Sequence, residues 1–258
     1  MTSRSYTTLQ VVSGVRTDIV LNRPERRNAI GPAMVNELLY AFDDAFEEAS
    51  CRTIVLTGAG KAFCAGGDFS QMSASDLALP SRGDYADLLL AMVRAPKPII
   101  ARVNGHAMGG GLGLVAASTL AVAVEDAKLG TPEVDVGLFP MMIMAVLARI
   151  VPRRRLLEMM LLGQRLSARE ACDLGIVNRV VAVSELDIEV QGLCEGLASK
   201  SPMTLRLGLQ AYADQADLAL EQALPLLRDR LAGCLATEDA AEGLAAFLEK
   251  RPAQWKGR

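Results

Sequence analysis

The stretch PIIARVNGHAMGGGLGLVAASTLAVAV, residues 98–124, decides how the rest of the chain is read. Pro98 to Val103 predicts a strand. It feeds a glycine cluster at Gly109, Gly110, Gly111 and Gly113. The run from there to Ser118 predicts a helix, and Thr119 to Val124 a further strand. Strands alternating with helices point to an α/β core. Outward from this stretch the same alternation continues. Leu9–Val12 and Val15–Leu21 flank Ser13-Gly14 as a β-hairpin. Pro32 to Ala49 reads as an amphipathic helix with Met34, Leu38, Phe42, Ala45 and Phe46 near one face. Arg52 to Thr57 is a buried-type strand ending in Gly58-Ala59-Gly60. Residues 70–83 are polar, with Gly and Pro, and read as a mobile surface loop before a short helix at about 84–95. From about 141 onward the pattern is mostly helical. Ser167 and Glu170 form a capping box, and Gly175 closes that helix. Ser184 is placed to cap a helix running to Lys200. Residues 201–258 read as a helical appendage to a core of residues 1–200, with Pro225 expected to kink or break one helix.

Composition removes several function classes. The chain has 258 residues, a net charge of −3 and 51% apolar residues, ample for a sizeable core. A slightly acidic chain without a long Lys/Arg run has no general pull toward nucleic acid. Aromatics are only 4%, which argues against base-stacking platforms. His106 is the single histidine, so a metal site built on several histidines is impossible within one chain and no metal is expected. Cys51, Cys64, Cys172, Cys194 and Cys234 are odd in number and contain no C-x-x-C, as in a reduced cytosolic protein. No signal-peptide pattern or uncharged apolar stretch of about 18 residues occurs, so a cytoplasmic protein outside the membrane is expected.

Three segments could carry chemistry: Phe63-Cys64-Ala65-Gly66-Gly67-Asp68, Asn104 to Gly111, and Gly130-Thr131-Pro132-Glu133. Glycines at a strand exit let a ligand approach the backbone, and a helix start offers unpaired N–H groups and the positive dipole end. Two such turns, converging, place two N–H donors on one oxyanion. Alternatively the glycines only make tight turns. Glu133 sits among apolar neighbours, where desolvation raises a carboxylate pKa toward the range of a general acid or base. Its plainer reading is a surface glutamate flanked by core residues. Asp68 is a weaker, substrate-binding candidate whose plainer reading is to stabilise the turn or cap the helix that follows. Asp135, two positions past Glu133, shares its face if the chain is extended, with an ion pair as its plainer reading. His106 reads as a structural histidine and Cys64 as packing volume. Gly111-x-Gly113-x-x-Ala116 fits the loose dinucleotide fingerprint, a weak pointer to a nicotinamide enzyme.

In their order, LNRPERRNAI (21–30), IVLTGAGKAFCAGGDF (54–69), PKPIIARVNGHAMGGGLGL (96–114), LGTPEVDVGLFP (129–140) and GQRLSAREACDLGIVNRVV (163–181) resemble the crotonase, or enoyl-CoA hydratase/isomerase, superfamily, as does TEDAAEGLAAFLEKR (237–251). The resemblance implies a spiral of ββα turns, a C-terminal helical region used in assembly to homotrimers or hexamers, and a coenzyme A thioester as substrate with no separate cofactor. It implies that the N–H groups of Gly67 and Gly110 grip the thioester oxygen and that Glu133 is the acid/base. Ala29, Ala65 and Phe69 fall where the family lines the adenine pocket. Arg26, Lys61 and Lys250 are phosphate partners, Lys250 from a neighbouring subunit.

The departures bear on the reaction. Family hydratases carry two glutamates; the second is kept as Glu133, but the first position is Gly113. Met141-Met142-Ile143-Met144 replaces the usual glycine-rich stretch and suits an adaptable acyl pocket lined by Met141. Losing one general acid/base typically costs about 10²–10⁴ in rate. Double-bond isomerisation runs with one carboxylate, and Gly113 is expected to leave room for acyl bulk or a water. Isomerisation is therefore slightly preferred. The alternatives are hydration with a non-standard second acid, from Asp135 or the 70–83 loop, and a non-catalytic acyl-CoA-binding homologue.

Overall fold

The computed structural model describes residues 4–68, 70 and 77–258. β1 (Leu9–Val12) and β2 (Arg16–Leu21) form the expected hairpin, with Leu9 opposite Leu21 and Val12 opposite Asp18. α1 (Pro32–Glu47) starts with proline at its first position, where the missing N–H costs nothing. It buries Met34, Leu38, Phe42 and Ala45, and Phe46 stacks on Phe42 at 5.8 Å.

From here the chain winds in repeating turns, each laying a strand in a six-stranded sheet, a shorter strand in a four-stranded sheet, and then helix. The first turn is β3 (Thr53–Gly58), β4 (Ala62–Cys64) and α2 (Tyr85–Val93). The second is β5 (Ile99–Val103), β6 (His106–Met108) and α3 (Gly110–Ala117). The third is β7 (Leu120–Val124) and β8 (Lys128–Gly130), followed by a 3-10 turn Pro132–Val136, α4 (Met141–Leu147) and α5 (Arg153–Leu161). β9 (Arg165–Ser167) closes the small sheet, ordered β4-β6-β8-β9. β10 (Arg179–Val181) closes the large one, ordered β1-β2-β3-β5-β7-β10. β3 is buried along its whole length between parallel neighbours, which is why Ile54-Val55-Leu56 stand in succession between two buried threonines rather than in an alternation with exposed residues. The ββα spiral expected from the sequence is present. Because β4, β6 and β8 are parallel neighbours, the residues that follow each of them gather at one end of the small sheet.

α6 (Ala168–Asp173) begins at the Ser167/Glu170 capping box and ends before Gly175, whose φ is +79°. α7 (Leu186–Ala198), α8 (Pro202–Gln215), α9 (Leu220–Leu235) and α10 (Glu238–Glu249) complete the chain. Two expectations are corrected. Ser184 does not cap α7: it lies in a 3-10 turn, Val183–Glu185, and Glu185 is already helical, so no extended N-cap residue precedes the helix. Pro225 does not break α9, which runs through it; the carbonyl that its absent N–H would bond belongs to exposed Glu221 and can face water. β9 and β10 fall in the part read as helical. The C-terminal tail folds back on buried Asp239, which accepts the Ser201 hydroxyl at 2.6 Å and the N–H groups of Lys256 and Gly257 at 2.7 and 3.0 Å. Among the described residues, no helix is long and apolar enough to cross a membrane.

Asn28 is fully buried, with φ +56°. Its side chain accepts the Arg23 N–H at 2.9 Å and donates to the carbonyls of Ala59 and Ala62, both at 2.9 Å. It therefore binds the loop after β2 to the entry of β4. Asn28→Ala leaves these buried groups unpaired and puts a methyl side chain in a left-handed conformation. We expect a stability loss of about 3 kcal/mol in urea unfolding; a loss under about 1 kcal/mol would contradict this role.

Candidate active site

Three of the four strands of the small sheet, β4, β6 and β8, each deliver one functional group. After β4, the turn Ala65-Gly66-Gly67-Asp68 is laced to the preceding loop. Ala65 N–H donates to Arg27 O at 2.9 Å, Ile30 N–H to Gly66 O at 2.8 Å, and Asp68 N–H to Ile30 O at 2.8 Å. These bonds skip Gly67, whose N–H has no backbone acceptor among the described residues. Asp68 accepts the Ser70 hydroxyl at 2.6 Å and pairs with Arg23 at 3.0 Å. The Ser70 bond, with Arg23 behind it, holds its pKa below the ordinary carboxylate range despite burial. Asp68 is thus the turn stabiliser that the sequence suggested.

After β6, Gly109 takes φ +50° and donates its N–H to Gly130 O at 2.9 Å. Gly110 opens α3, so its N–H lacks an intrahelical partner and lies at the positive end of the dipole. After β8, the 3-10 turn lifts Glu133 over Gly109. A Cβ on Gly109 would stand 2.7 Å from Glu133 Oε1 and push that carboxylate aside, and the positive φ itself favours glycine there. Glu133 Oε2 is buried without a hydrogen-bond partner among the described residues. Burial raises the Glu133 pKa above the ordinary value.

These groups line one pocket of about 420 Å³. Gly67, Asp68, Gly110 and Glu133 supply its polar side; Ile30, Val35, Leu138, Phe139, Met141 and Ile143 are among its apolar walls. Of the other sequence candidates, Ala29 and Ala65 lie on the two laced segments, outside the pocket lining. Arg26 and Lys61 are exposed on one edge, where Gly60 packs against Pro24. Lys250 is exposed at the end of α10, with φ +53°. Phe69 and residues 71–76 of the 70–83 loop lie outside the described residues. His106 is structural: its Nδ1 accepts the Lys128 N–H at 3.0 Å. Cys64 is wholly buried, and burial pushes its thiol up to about 12.

Three readings of the sequence are revised here. Gly113 does not leave open space, because a Cβ there would overlap the Tyr85 hydroxyl and Ile143 Cγ2. Gly111 and Gly113 are buried packing positions within α3, which removes the dinucleotide cradle. Asp135 does not face Glu133 across an extended strand: the 3-10 turn sends it to the surface, 3.4 Å from Arg165. The residue that sequence reading missed is Tyr85, which lines the pocket and donates its hydroxyl to Gly110 O. Nothing in YADLLLAMV marks it; only the contact across two turns of the spiral does.

Fold and site define an α/β protein whose pocket sets unpaired backbone N–H groups beside a half-buried carboxylate, Glu133, with one oxygen unpaired among the described residues. Residues 13–258 match the enoyl-CoA hydratase/isomerase family. The 2,3-dehydroadipyl-CoA hydratase of Escherichia coli is 34% identical over 242 residues, covering 93% of this chain and 94% of that protein. The crystal structure of an enoyl-CoA hydratase from Mycobacterium smegmatis superposes with a TM-score of 0.90 at 36% identity, over 96% of this chain and 99% of that one. The human enoyl-coenzyme A hydratase domain-containing protein 3 gives a TM-score of 0.89 at 30% identity, over 96% of this chain and 100% of that one. The chain belongs to the enoyl-CoA hydratase/isomerase family and has the crotonase fold.

Proposed function

We propose that the pocket receives the acyl group of an enoyl-CoA thioester and that the enzyme shifts its double bond by proton transfer. The observation that carries this is the lone available carboxylate among the described residues of the pocket. Glu133 has an unpaired oxygen, whereas the other acids of the pocket, Asp68 and Asp84, are committed to Arg23 with Ser70 and to the N-terminus of α2. Glu133 takes a proton from C2 of a 3-enoyl thioester and returns it at C4. The N–H groups of Gly67 and Gly110 hold the dienolate oxygen between the two steps. The apolar walls favour a hydrocarbon acyl chain. In this reading Ala29 and Ala65 contact the adenine, and Arg26, Lys61 and, from a neighbouring subunit, Lys250 contact the phosphates. No separate cofactor is required, since coenzyme A is part of the substrate. The names of the relatives support a second reading, hydration of a 2-enoyl ester, which needs a second acid. Incubation with 3-enoyl-CoA and 2-enoyl-CoA esters tests the choice: the 3-enoyl ester is expected to give the 2-enoyl isomer as its main product, and an unconverted 3-enoyl ester beside rapid hydration of the 2-enoyl ester would overturn isomerisation.

The C-terminal helices serve assembly into a homotrimer or hexamer in this reading. α9 and α10 expose Leu220, Leu224, Leu244, Phe247 and Leu248, with Phe247 81% exposed, a surface that an isolated chain would leave unsatisfied. Phe247→Asp with Leu248→Asp is expected to lower the mass measured by light scattering to that of a smaller species. An unchanged oligomer, or a monomeric parent, would contradict this use of the helices.

A further inference from the structure

Gly110 lines the pocket within a glycine-rich run, Gly109-Gly110-Gly111-Leu112-Gly113, yet an oxyanion donor works only when its N–H is held in place. Two bonds bracket Gly110. Gly113 N–H donates to Gly109 O at 3.1 Å, fixing the peptide that carries the Gly110 N–H from one side. From the other side, the Tyr85 hydroxyl donates to Gly110 O. Tyr85 is the first residue of α2, whose start is fixed by the Asp84/Asp87 capping box. Its phenol stands close over the glycines: a Cβ on Gly110 would lie 3.5 Å from its oxygen, and one on Gly113 would overlap it. Burial, with Cys64 and Glu133 nearby, holds the Tyr85 pKa well above the ordinary value, so the proton that makes the bond stays on.

We propose that Tyr85 is a positioning residue, whose hydroxyl fixes Gly110 so that its N–H meets the thioester oxygen; this rests on the acyl-CoA reading above. Tyr85 acts through Gly110 and takes no proton from substrate. It also occupies the volume beside Gly113, which is why that position carries no side chain.

The test uses acetoacetyl-CoA, whose enolate has its own ultraviolet band and reports oxyanion binding without turnover. Wild type is expected to bind it enriched in enolate. Tyr85→Phe keeps the ring and should cut both the enolate fraction and kcat by about 10- to 100-fold, with KM changed less than about threefold. Gly113→Ala, whose added methyl displaces the hydroxyl, should do the same. In the double variant the two losses should not add, because both act on one contact. Enolate fraction and kcat within twofold of wild type in Tyr85→Phe, or fully additive losses, would overturn the inference while leaving the acyl-CoA reading intact. Failure of wild type to bind the ester would overturn both.

Discussion

Glu133→Gln is expected to lower turnover of an enoyl-CoA ester by about 10³-fold or more, with KM little changed. The side chain is nearly isosteric, so shape and the apolar walls remain, and only the proton acceptor is lost. The other described acids of the pocket cannot stand in: Asp68 is held ionised by Ser70 and Arg23, and Asp84 caps α2. The pH dependence follows from the same residue. Burial raises the Glu133 pKa, so kcat/KM should fall on the acid side with an apparent pKa above the ordinary glutamate value. For stability the sign is opposite to that of an ion-paired acid. The folded state holds this proton more tightly than the unfolded chain. Ionisation of Glu133 therefore costs stability as pH rises from the unfolded to the folded pKa, and the cost persists above it. Glu133→Gln should accordingly raise Tm at pH 8 relative to wild type, with the gain shrinking at acid pH. A variant with wild-type turnover, or one less stable at pH 8, would contradict the placement of this carboxylate.

Gly110→Pro is expected to lower kcat by about 10²–10³-fold, the loss typical of one oxyanion donor. Gly110 is the first residue of α3, the one helical position where proline is preorganised and its missing N–H leaves no helical bond broken. The added Cβ would meet Ile30 Cδ1 at 3.4 Å and the Tyr85 hydroxyl at 3.5 Å, ordinary contact distances. The substitution thus deletes the donor, and its ring carbon Cδ, standing in place of the N–H hydrogen, also closes the position of the oxyanion. Gly110→Ala, which adds the same first carbon but keeps the N–H, separates bulk from donor and should retain most of the activity. Equal losses in the two variants, read as kcat with both Tm values close to wild type, would assign the effect to crowding instead.

Much of this was legible in the chain because it depends on local chemistry. The apolar succession Ile54-Val55-Leu56 made β3, Ser13-Gly14 marked the hairpin, and Ser167 with Glu170 marked a helix start. The Gly66-Gly67 and Gly109-Gly110 turns and the Pro132-Glu133 dipeptide each follow a strand. Parallel pairing of β4, β6 and β8 then brings them to one pocket. What was not legible depends on contacts between turns. β9 and β10 are three residues long, too short for any periodicity. An empty side-chain position at Gly113 looks like space in the sequence, and only the fold shows that Tyr85 and Ile143 have filled it. Asp135 looked able to replace an acid because spacing by two assumes an extended chain, and the 3-10 turn removes that assumption.

Deuterium uptake by a 2-enoyl-CoA ester in D₂O tests the one-carboxylate account most directly. An enzyme that runs through a dienolate draws a proton from C4 onto Glu133, and exchange of that proton with D₂O before its return leaves deuterium at C4 without water adding at C3. Deuterium is predicted at C4 in recovered ester, at least tenfold ahead of any 3-hydroxyacyl product and absent with Glu133→Gln. Rapid 3-hydroxyacyl formation with C4 unlabelled would contradict the account and establish a second acid in the site.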